Sequence, residues 1–313
     1  MIPDIVFSAL QAVMMVMIAP LLTGIIRKLK ANMQHRKGSS IFQPYHDIVK
    51  LFKKGETVSR HSTWLFRAVP YVCMSSMLLL AMMVPFMFVE VVAPYGDLIA
   101  LVYIFTMYRF MMVLGGLEGG SVFGGMGSSR EMMMSVLIEP ALLLSMMALV
   151  GLTGAGTAIG GIPVALLAMG IGALTPTLIM AMTSFFITMM AENARVPFDN
   201  PATHLELTMV HEGMLLEYSG RGLGMMEFSS MLRLTIFMSI LGTMFFPWGI
   251  ATDTGLLSLI IGFCSIMVKL LFIALVIAFI ESYIAKYRLF RLPNLLTASF
   301  VLSLLAMIAL YIL

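Results

Sequence analysis

The chain has 313 residues, of which 60% are hydrophobic and 11% charged. Soluble proteins carry about 25% charged residues, so this composition excludes an ordinary soluble enzyme. The apolar runs are continuous rather than alternating, which favours an all-α integral membrane protein over a transmembrane β-barrel. Two cysteines, Cys73 and Cys264, lie far apart in apolar runs. They are too few for an iron–sulfur cluster, which takes about four ligands, and we expect no cofactor in this chain.

Eight apolar stretches approach the length of about 20 residues that a membrane-spanning helix needs. They cover residues 5–26, 64–89, 98–117, 132–152, 163–191, 232–246, 256–280 and 295–313. Pro176 lies inside the fifth stretch and either kinks the helix or marks its true start, because proline removes a helix hydrogen bond. The sequence therefore predicts one membrane domain over residues 1–313, with about eight transmembrane helices.

The basic residues predict the orientation of these spans. Ten of the 19 Lys and Arg residues lie between residues 27 and 67, and the others lie in the third, fifth and seventh loops or inside spans. The remaining loops and the N-terminus carry only acids, namely Asp4, Glu90, Asp97 and Asp253. By the positive-inside rule, the odd-numbered loops face the cytoplasm and both termini lie outside.

The first cytoplasmic loop, residues 27–63, is long and basic and contains the sequence IFQPYHDIVKLF. Its apolar residues recur at helical intervals, and three lysines lie on the other side: Ile41, Tyr45, Ile48, Val49 and Phe52 against Lys50, Lys53 and Lys54. One interpretation is an interfacial amphipathic helix held by anionic lipid headgroups. The other is a helix packed on the bundle, where it lines the mouth of an internal cavity.

Ionisable residues inside or at the border of spans cost about 2.5–3.5 kcal/mol each to insert and usually have a functional reason. Here they are Arg109, Glu131, Glu139, Glu192, Lys269 and Glu281. Glu131 and Glu139 are eight residues apart, so they share a helix face about 12 Å apart. This spacing predicts a water-bridged proton relay, with Glu139 deep in the membrane and Glu131 at the cytoplasmic rim.

Each of these charges also has a structural interpretation. Glu131 completes a possible capping box over residues 128–131. Glu139 could form a static ion pair with Arg109 or Lys269, and Lys269 is either a proton carrier or a fixed counter-ion. Glu281 ends its span with the wrong sign for a helix C-terminus, so we expect a cationic partner nearby.

The fifth loop is the most polar and acidic stretch between spans, reading ENARVPFDNPATHLELTMVHEGMLLEYSG over residues 192–220. It brings together Glu192, Asp199, Glu206, Glu212 and Glu217 with His204 and His211. Asn200 and Pro201 form a good start for a short helix that Gly220 would end. Two histidines without a third ligand are weak evidence for a metal, so we predict no metal site. Residues 192–231 are predicted to form an acidic loop that docks a soluble partner.

Three motifs in this order resemble the H subunit (subunit 1) family of complex I: QHRKGSS with IFQPYHDIVKLF, then ENARVPFDNP, then LEYSG. Four further stretches are more similar to the branch found in energy-converting group 4 nickel–iron hydrogenases and formate hydrogenlyases. They are YGDLIALVYIF, GSSREMMMSVLIEP, PATHLELTMVHEGMLLEYSG and FFPWG. The resemblance covers essentially the whole chain.

The resemblance implies a membrane anchor without redox centres in the cytoplasmic (inner) membrane. It implies that iron–sulfur clusters and a nickel–iron centre belong to soluble partners, which are hydrogenase-like large and small subunits and a ferredoxin-like subunit. Antiporter-like membrane subunits and the lipid bilayer would be its neighbours in the membrane, and no nucleic acid is expected. The acids that match the family's proton pathway are Glu131, Glu139, Glu192, Glu206, Glu212 and Glu217, to which Arg109, Asp199, Lys269 and Glu281 are added as neighbours. The residues predicted to dock the partner are Arg36, Lys37, His46, Asp47, Arg195, His204, His211, Tyr218 and Arg221.

Two other functions remain open at this stage. The first is the quinone-site subunit of a complex I-type NADH or ferredoxin dehydrogenase. Against it, residues 220–222 continue into GMMEFSS rather than a second acidic and aromatic cluster. The second is a stand-alone ion transporter, which the long cytoplasmic loops and the lack of paired broken helices disfavour.

Overall fold

The computed structural model describes residues 2–59, 62–88, 96–199, 209–251 and 255–312. In this part of the chain, helices follow one another with short connections. Their bounds are α1 Ile2–Met33, α2 Gln43–Lys53, α3 Trp64–Met83, α4 Leu98–Glu118, α5 Val122–Thr153, α6 Gly161–Met169, α7 Pro176–Glu192, α8 His211–Leu215, α9 Gly220–Ile240, α10 Leu256–Tyr283 and α11 Leu292–Ile312.

Seven of these helices are long and apolar enough to cross a membrane, namely α1, α3, α4, α5, α9, α10 and α11. The one predicted span without such a helix is the fifth, whose second half forms α7, an apolar helix of 17 residues. The prediction of an all-α membrane protein is therefore confirmed. The orientation of the termini stays a prediction.

The fifth predicted span, residues 163–191, is wrong as a single helix. The structure divides it into α6 and α7, with a short 3-10 turn at Gly170–Ala173 between them. Thr175 caps α7 by accepting a hydrogen bond from the backbone N–H of Leu178 (3.3 Å), and Pro176 occupies the first turn. Proline is well suited there because its missing N–H would have no helical partner. Pro176 therefore marks the start of a helix rather than a kink.

The sixth span begins earlier than predicted, at Gly220 rather than residue 232, and continues through a π-helical turn, Leu241–Phe245. Residues 220–231 therefore belong to α9, and the predicted loop over residues 192–231 is shorter in the structure. Gly220 begins a helix instead of ending one. Its φ of +53° is a conformation that favours glycine, and a Cβ there would lie 2.4 Å from the carbonyl oxygen of Gly55. Because α9 is enclosed by other helices, it needs no lipid-facing apolar surface.

The predicted amphipathic helix in the first loop is present as α2. It lies against the bundle, where it contacts α1 and α9. The Tyr45 hydroxyl donates a hydrogen bond to the carbonyl oxygen of Met17, while Lys50 and Lys53 are exposed. Ser219 ties the same loop to the start of α9, because its Oγ accepts from the N–H of Thr57 at 2.9 Å.

Helix α5 packs against α4, α7 and α11. Three of these four helices, α4, α5 and α7, carry ionisable residues. Helices α7 and α11 approach closely through two serines. Ser184 Oγ donates to the carbonyl oxygen of Ser299 (2.8 Å), and Ser299 Oγ donates to that of Ser184 (3.0 Å). Small hydroxyl residues allow such close approach between membrane helices. This contact fixes α7, the helix that ends at Glu192.

Candidate functional site

The centre of the candidate site is Arg109, a buried residue in the middle of α4. Its guanidinium contacts three carboxylates. Nε lies 3.4 Å from Glu131 and Nη1 lies 3.3 Å from Glu139, both on α5, while Nη2 contacts Glu192 at the end of α7. If all four groups are ionised, one positive charge faces three negative ones. We call these four residues the Arg109 cluster.

The spacing of eight residues on α5 does bring Glu131 and Glu139 to one cation, as their shared helix face predicts. The capping-box interpretation of Glu131 is wrong, because Ser121 caps α5 and Glu131 lies well inside the helix. Burial differs from the expected order: the Glu131 side chain is 5% exposed, whereas that of Glu139 is 34% exposed. The alternative of an ion pair between Glu139 and Arg109 is confirmed. The relay is compatible with that pair and stays a prediction.

A second set of ion pairs surrounds Glu281 at the end of α10. Its carboxylate lies 3.1 Å from Lys30 Nζ and 3.2 Å from Arg195 Nη1, and its side chain is 2% exposed. A cationic partner was expected for Glu281, and the structure provides two. Lys30 lies on α1, and Arg195 lies in the segment after α7. We call these three residues the Glu281 cluster.

Asp199 fastens the segment that follows α7. One carboxylate oxygen accepts from the backbone N–H groups of Val210 (3.1 Å) and His211 (3.3 Å), and the other lies 2.6 Å from Lys286 Nζ. These contacts join the beginning of α8 to the connection between α10 and α11. Asp199 thus has a positioning role in the structure, beside its predicted place in the proton pathway.

A cavity of about 530 Å³ is lined by all three residues of the Glu281 cluster. Its wall carries four cations and four acids: Arg27, Lys30, Arg36 and Arg195 with Asp199, Glu212, Glu227 and Glu281. Asn193, which directly follows Glu192 of the Arg109 cluster, also lines it. The wall therefore combines charged side chains with apolar ones such as Ile26 and Leu234, and Asn193 connects it along the chain to the Arg109 cluster.

His211 and Tyr218 are buried, so the docking role predicted for their side chains is not supported by their positions. Burial, together with the nearby charges of Arg233 and Arg109, lowers the pKa of His211 to about 3. The Tyr218 ring stacks on Phe66 with ring centres 4.1 Å apart, and burial raises its pKa. The buried side chains of His211 and Tyr218 therefore stabilise the position of the loop that precedes α9.

The other predicted docking residues divide into three groups. Arg36, Lys37, His46 and Arg221 are exposed. Asp47 accepts from Gln43 Nε2 at 2.8 Å, and Arg195 belongs to the Glu281 cluster. His204 lies outside the described residues.

Among the described residues, Glu212, Glu217 and Lys269 lie outside the Arg109 cluster. Glu212 lines the cavity and Glu217 is exposed, while Glu206 lies outside the described residues. Lys269 Nζ donates to the carbonyl oxygen of Phe246 at 2.6 Å, just after the π-helical turn, rather than to a carboxylate among the described residues. Of the two partners considered for Glu139, Arg109 rather than Lys269 therefore forms the ion pair.

The sequence did not single out Glu227, which falls in the predicted loop 192–231, or Arg233, which was counted in or beside that loop at the start of the predicted span 232–246. Both lie on α9, where Glu227 lines the cavity and Arg233 is 1% exposed. The Arg233 guanidinium carbon is 4.8 Å from the ring centre of Tyr108. The sequence does contain a signal for this buried helix. Charged residues recur in the glycine-rich stretch 220–231, which directly precedes an apolar run, and such a pattern is typical of a helix surrounded by protein.

Across the described ranges, no three His, Cys, Asp or Glu side chains are grouped as metal ligands. Of the two cysteines, Cys73 is buried and Cys264 is exposed. The chemistry that the described residues offer is therefore that of carboxylates, guanidinium groups and one buried imidazole.

A family model described as NADH dehydrogenase matches residues 5–312. The chain belongs to this family. It is 36% identical to hydrogenase-4 component C of Escherichia coli (strain K12), over 96% of this chain and 94% of that protein. It is 34% identical to formate hydrogenlyase subunit 4 of the same strain, over 98% of this chain and 99% of that protein. The resemblance to the complex I family, and to its hydrogenase branch, is thereby confirmed.

Similarity extends to proteins named for quinone reduction and to a solved structure. The chain is 28% identical to the H subunit of NADH-quinone oxidoreductase from Rubrobacter xylanophilus, over 77% of this chain and 74% of that protein. The fold matches a chain in the structure of the membrane-bound sulfane sulfur reductase, an archaeal respiratory membrane complex, with a TM-score of 0.84. That match covers 98% of this chain and 99% of the other at 20% identity, so it is evidence for the fold alone.

Proposed function

We propose that this chain is the membrane anchor and proton-pathway subunit of a multi-subunit, ion-translocating nickel–iron hydrogenase of the hydrogenase-4 or formate hydrogenlyase type. The similarity to those two proteins over nearly the whole length of both chains supports this class. The observation that carries the mechanism is the Arg109 cluster, in which three carboxylates from two helices meet one guanidinium inside the membrane domain.

The charge imbalance explains how this cluster moves protons. Three carboxylates and one guanidinium cannot all stay ionised in a low-dielectric interior, because like charges disfavour each other's ionised form. Protons therefore bind to the cluster, and a change of potential nearby alters how many are held. Glu131, Glu139 and Glu192 share these protons, with Arg109 as the fixed countercharge.

The segment after α7 carries the signal from the soluble side. Glu192 belongs to the Arg109 cluster, Arg195 to the Glu281 cluster, and Asp199 fastens the start of α8. A displacement or a new charge at the docked partner therefore reaches Glu192 within seven residues of chain, the interval from 192 to 199. Protonation changes then pass through Glu192 and Glu139 to a neighbouring membrane subunit.

The partners follow from the same class of complex. Hydrogenase-like large and small subunits and a ferredoxin-like subunit bind the cytoplasmic loops, through residues 27–63 and the segment after α7. They hold the iron–sulfur clusters and the nickel–iron centre. Antiporter-like subunits lie beside this chain in the cytoplasmic (inner) membrane, with the termini of this chain on the outer side.

The cavity favours this class over a quinone-reducing one. Ligand pockets are lined mostly by hydrophobic and aromatic side chains with a few polar groups. Here eight charged side chains line the wall, and they balance in sign. Such a wall suits water and mobile protons better than a quinone ring and its isoprenoid tail.

The decisive variant is Glu192→Gln in the intact complex, measured in sealed inverted membrane vesicles. Hydrogen evolution should continue, whereas ion uptake per hydrogen formed should fall by about tenfold or more. Glu217→Gln is the matched control, since it makes the same change at an exposed carboxylate of the same loop region. Wild-type ion uptake in Glu192→Gln would contradict the proposed mechanism. Measuring both proton and sodium uptake identifies the ion.

A further inference from the structure

Arg233 is a buried cation that the proposed pathway leaves unused. It lies within α9 and is 1% exposed. Its guanidinium carbon is 4.8 Å from the ring centre of Tyr108, which is itself fully buried. Two of its nitrogens, Nε and Nη2, have no hydrogen-bond partner among the described residues. A buried charged donor without a partner is costly, so such a group needs an explanation.

Two more buried atoms in the same part of the molecule have no hydrogen-bond partner among the described residues, namely His211 Nε2 and Asn193 Oδ1. Both residues line the cavity, as do Met231 and Leu234 on either side of Arg233 along α9. Arg233 stacks on Tyr108, which directly precedes Arg109, and Asn193 directly follows Glu192. The unsatisfied atoms therefore belong to residues that line the cavity or adjoin the Arg109 cluster.

Ordered water is the ligand that fits these atoms. A buried water typically makes two to four hydrogen bonds to polar groups that would otherwise be unsatisfied, and it enters sites that are polar and roomy. We propose that Arg233 and His211 bind ordered water that connects the cavity with Glu131, and that Arg233 is a positioning residue for proton entry into the Arg109 cluster. This inference rests on the proposed function, because it supplies the entrance to the same cluster.

An arginine stacked on a tyrosine is well suited to this role. The ring of Tyr108 covers one face of the guanidinium, so the N–H groups at its edge stay available for water. A guanidinium keeps its proton in proteins, so Arg233 orients water without storing a proton itself. The His211 imidazole is neutral, because its pKa is lowered to about 3.

Arg233 also changes the charge count of the site. The three carboxylates of the Arg109 cluster outnumber Arg109 by two charges, and Arg233, which stacks on the adjacent Tyr108, reduces this excess to one. Binding a single proton then neutralises the whole group. Without Arg233, the same carboxylates would hold two protons, and the loading of the pathway would shift to higher pH.

The test compares Arg233→Met and Arg233→Lys in the intact complex in sealed vesicles, measuring ion uptake per hydrogen formed against pH. Arg233→Met should lower uptake by about tenfold or more, since misplacing a transferring group by about 1 Å can cost a hundredfold. It should also move the pH profile upward, an effect that loss of packing alone would not produce. Arg233→Lys keeps one charge and water-binding donors, so it should recover most of the uptake. Arg288→Met, at an exposed position between α10 and α11, is the matched control.

A structure of the wild-type complex, at a resolution that reveals water, gives the second measurement. Density within hydrogen-bond distance, about 2.7–3.2 Å, of Arg233 Nε and His211 Nε2 is expected. A dry site, or one filled by a partner's side chain, would overturn the inference. This measurement uses the wild-type complex, so it remains possible even if the Arg233→Met complex fails to assemble. If Glu192→Gln loses uptake while Arg233→Met keeps the wild-type level and pH profile, the inference about Arg233 fails alone. If Glu192→Gln keeps its uptake, the proposed function fails.

Discussion

The Arg109 and Glu281 clusters have opposite charge balances. In the first, three carboxylates share one guanidinium, and in the second, two cations share one carboxylate. A carboxylate between two cations is a fixed charge, whereas surplus carboxylates reach balance only by taking up protons. We therefore expect the Arg109 cluster to store protons and the Glu281 cluster to fasten the helices around the cavity.

Removing the central cation should have the largest effect. Arg109→Met leaves three carboxylates inside the membrane domain without the guanidinium they share. Breaking one buried ion pair costs about 3–5 kcal/mol, and here three contacts are lost. We expect the complex to fail to accumulate in membranes, which native gel electrophoresis measures. Arg109→Lys should assemble better, because it keeps the charge. A normal amount of Arg109→Met complex would contradict the central role of this residue.

Neutralising Glu281 should separate stability from transport. Glu281→Gln leaves Lys30 and Arg195 facing an amide, and we expect a loss of about 3 kcal/mol and a lower melting temperature of the complex. Ion uptake per hydrogen formed should stay at the wild-type level in the complex that assembles. The exposed acid Glu217 again provides the control, because Glu217→Gln should change neither quantity. Lost uptake at an unchanged melting temperature would place Glu281 among the proton-storing groups instead.

The smallest effect concerns His211, a buried residue that lines the cavity. Its pKa is about 3 in the folded protein and about 6.5 in an unfolded chain. The unfolded state therefore binds the extra proton between these values, so the stability contribution is complete above pH 6.5 and decreases as the pH falls. The slope is about 1.4 kcal/mol per pH unit, or about 2 kcal/mol at pH 5. Melting temperatures of wild type and His211→Gln from pH 7 to pH 5 should diverge accordingly, and parallel curves would refute the neutral imidazole.

The sequence predicts the long helices well because lipid imposes a simple rule on their surfaces. It predicts α9 poorly, because protein rather than lipid surrounds that helix, and glycines and charges are tolerated in it. The sequence offered the start of a helix at Pro176 as one of two alternatives, because a single proline determines the break. In contrast, the π-helical turn before Phe246, whose carbonyl binds Lys269, has no sequence signal that we recognise.

The candidate site was predictable only as far as local spacing reaches. An interval of eight residues predicts that Glu131 and Glu139 share a helix face, and Arg109 was a candidate partner. That Glu192 contacts the same guanidinium depends on how three helices pack, which helix periodicity does not specify. The partners of Glu281 are 251 and 86 residues away along the chain, beyond any local pattern. Arg233 was missed because the predicted span began at residue 232, so this arginine was counted with the adjacent loop instead of inside a longer helix.

The paired serines that join α7 and α11 have a consequence for biogenesis. Ser184 and Ser299 are 115 residues apart, so α7 enters the bilayer long before the helix that fixes it has been synthesised. Arg109 is inserted earlier still, ahead of all the acids that it will bind. The ribosome therefore delivers the cation first, the carboxylates next and the fastening helix last. The ion pairs of the Arg109 cluster can therefore form before the helix that fixes α7 has been synthesised.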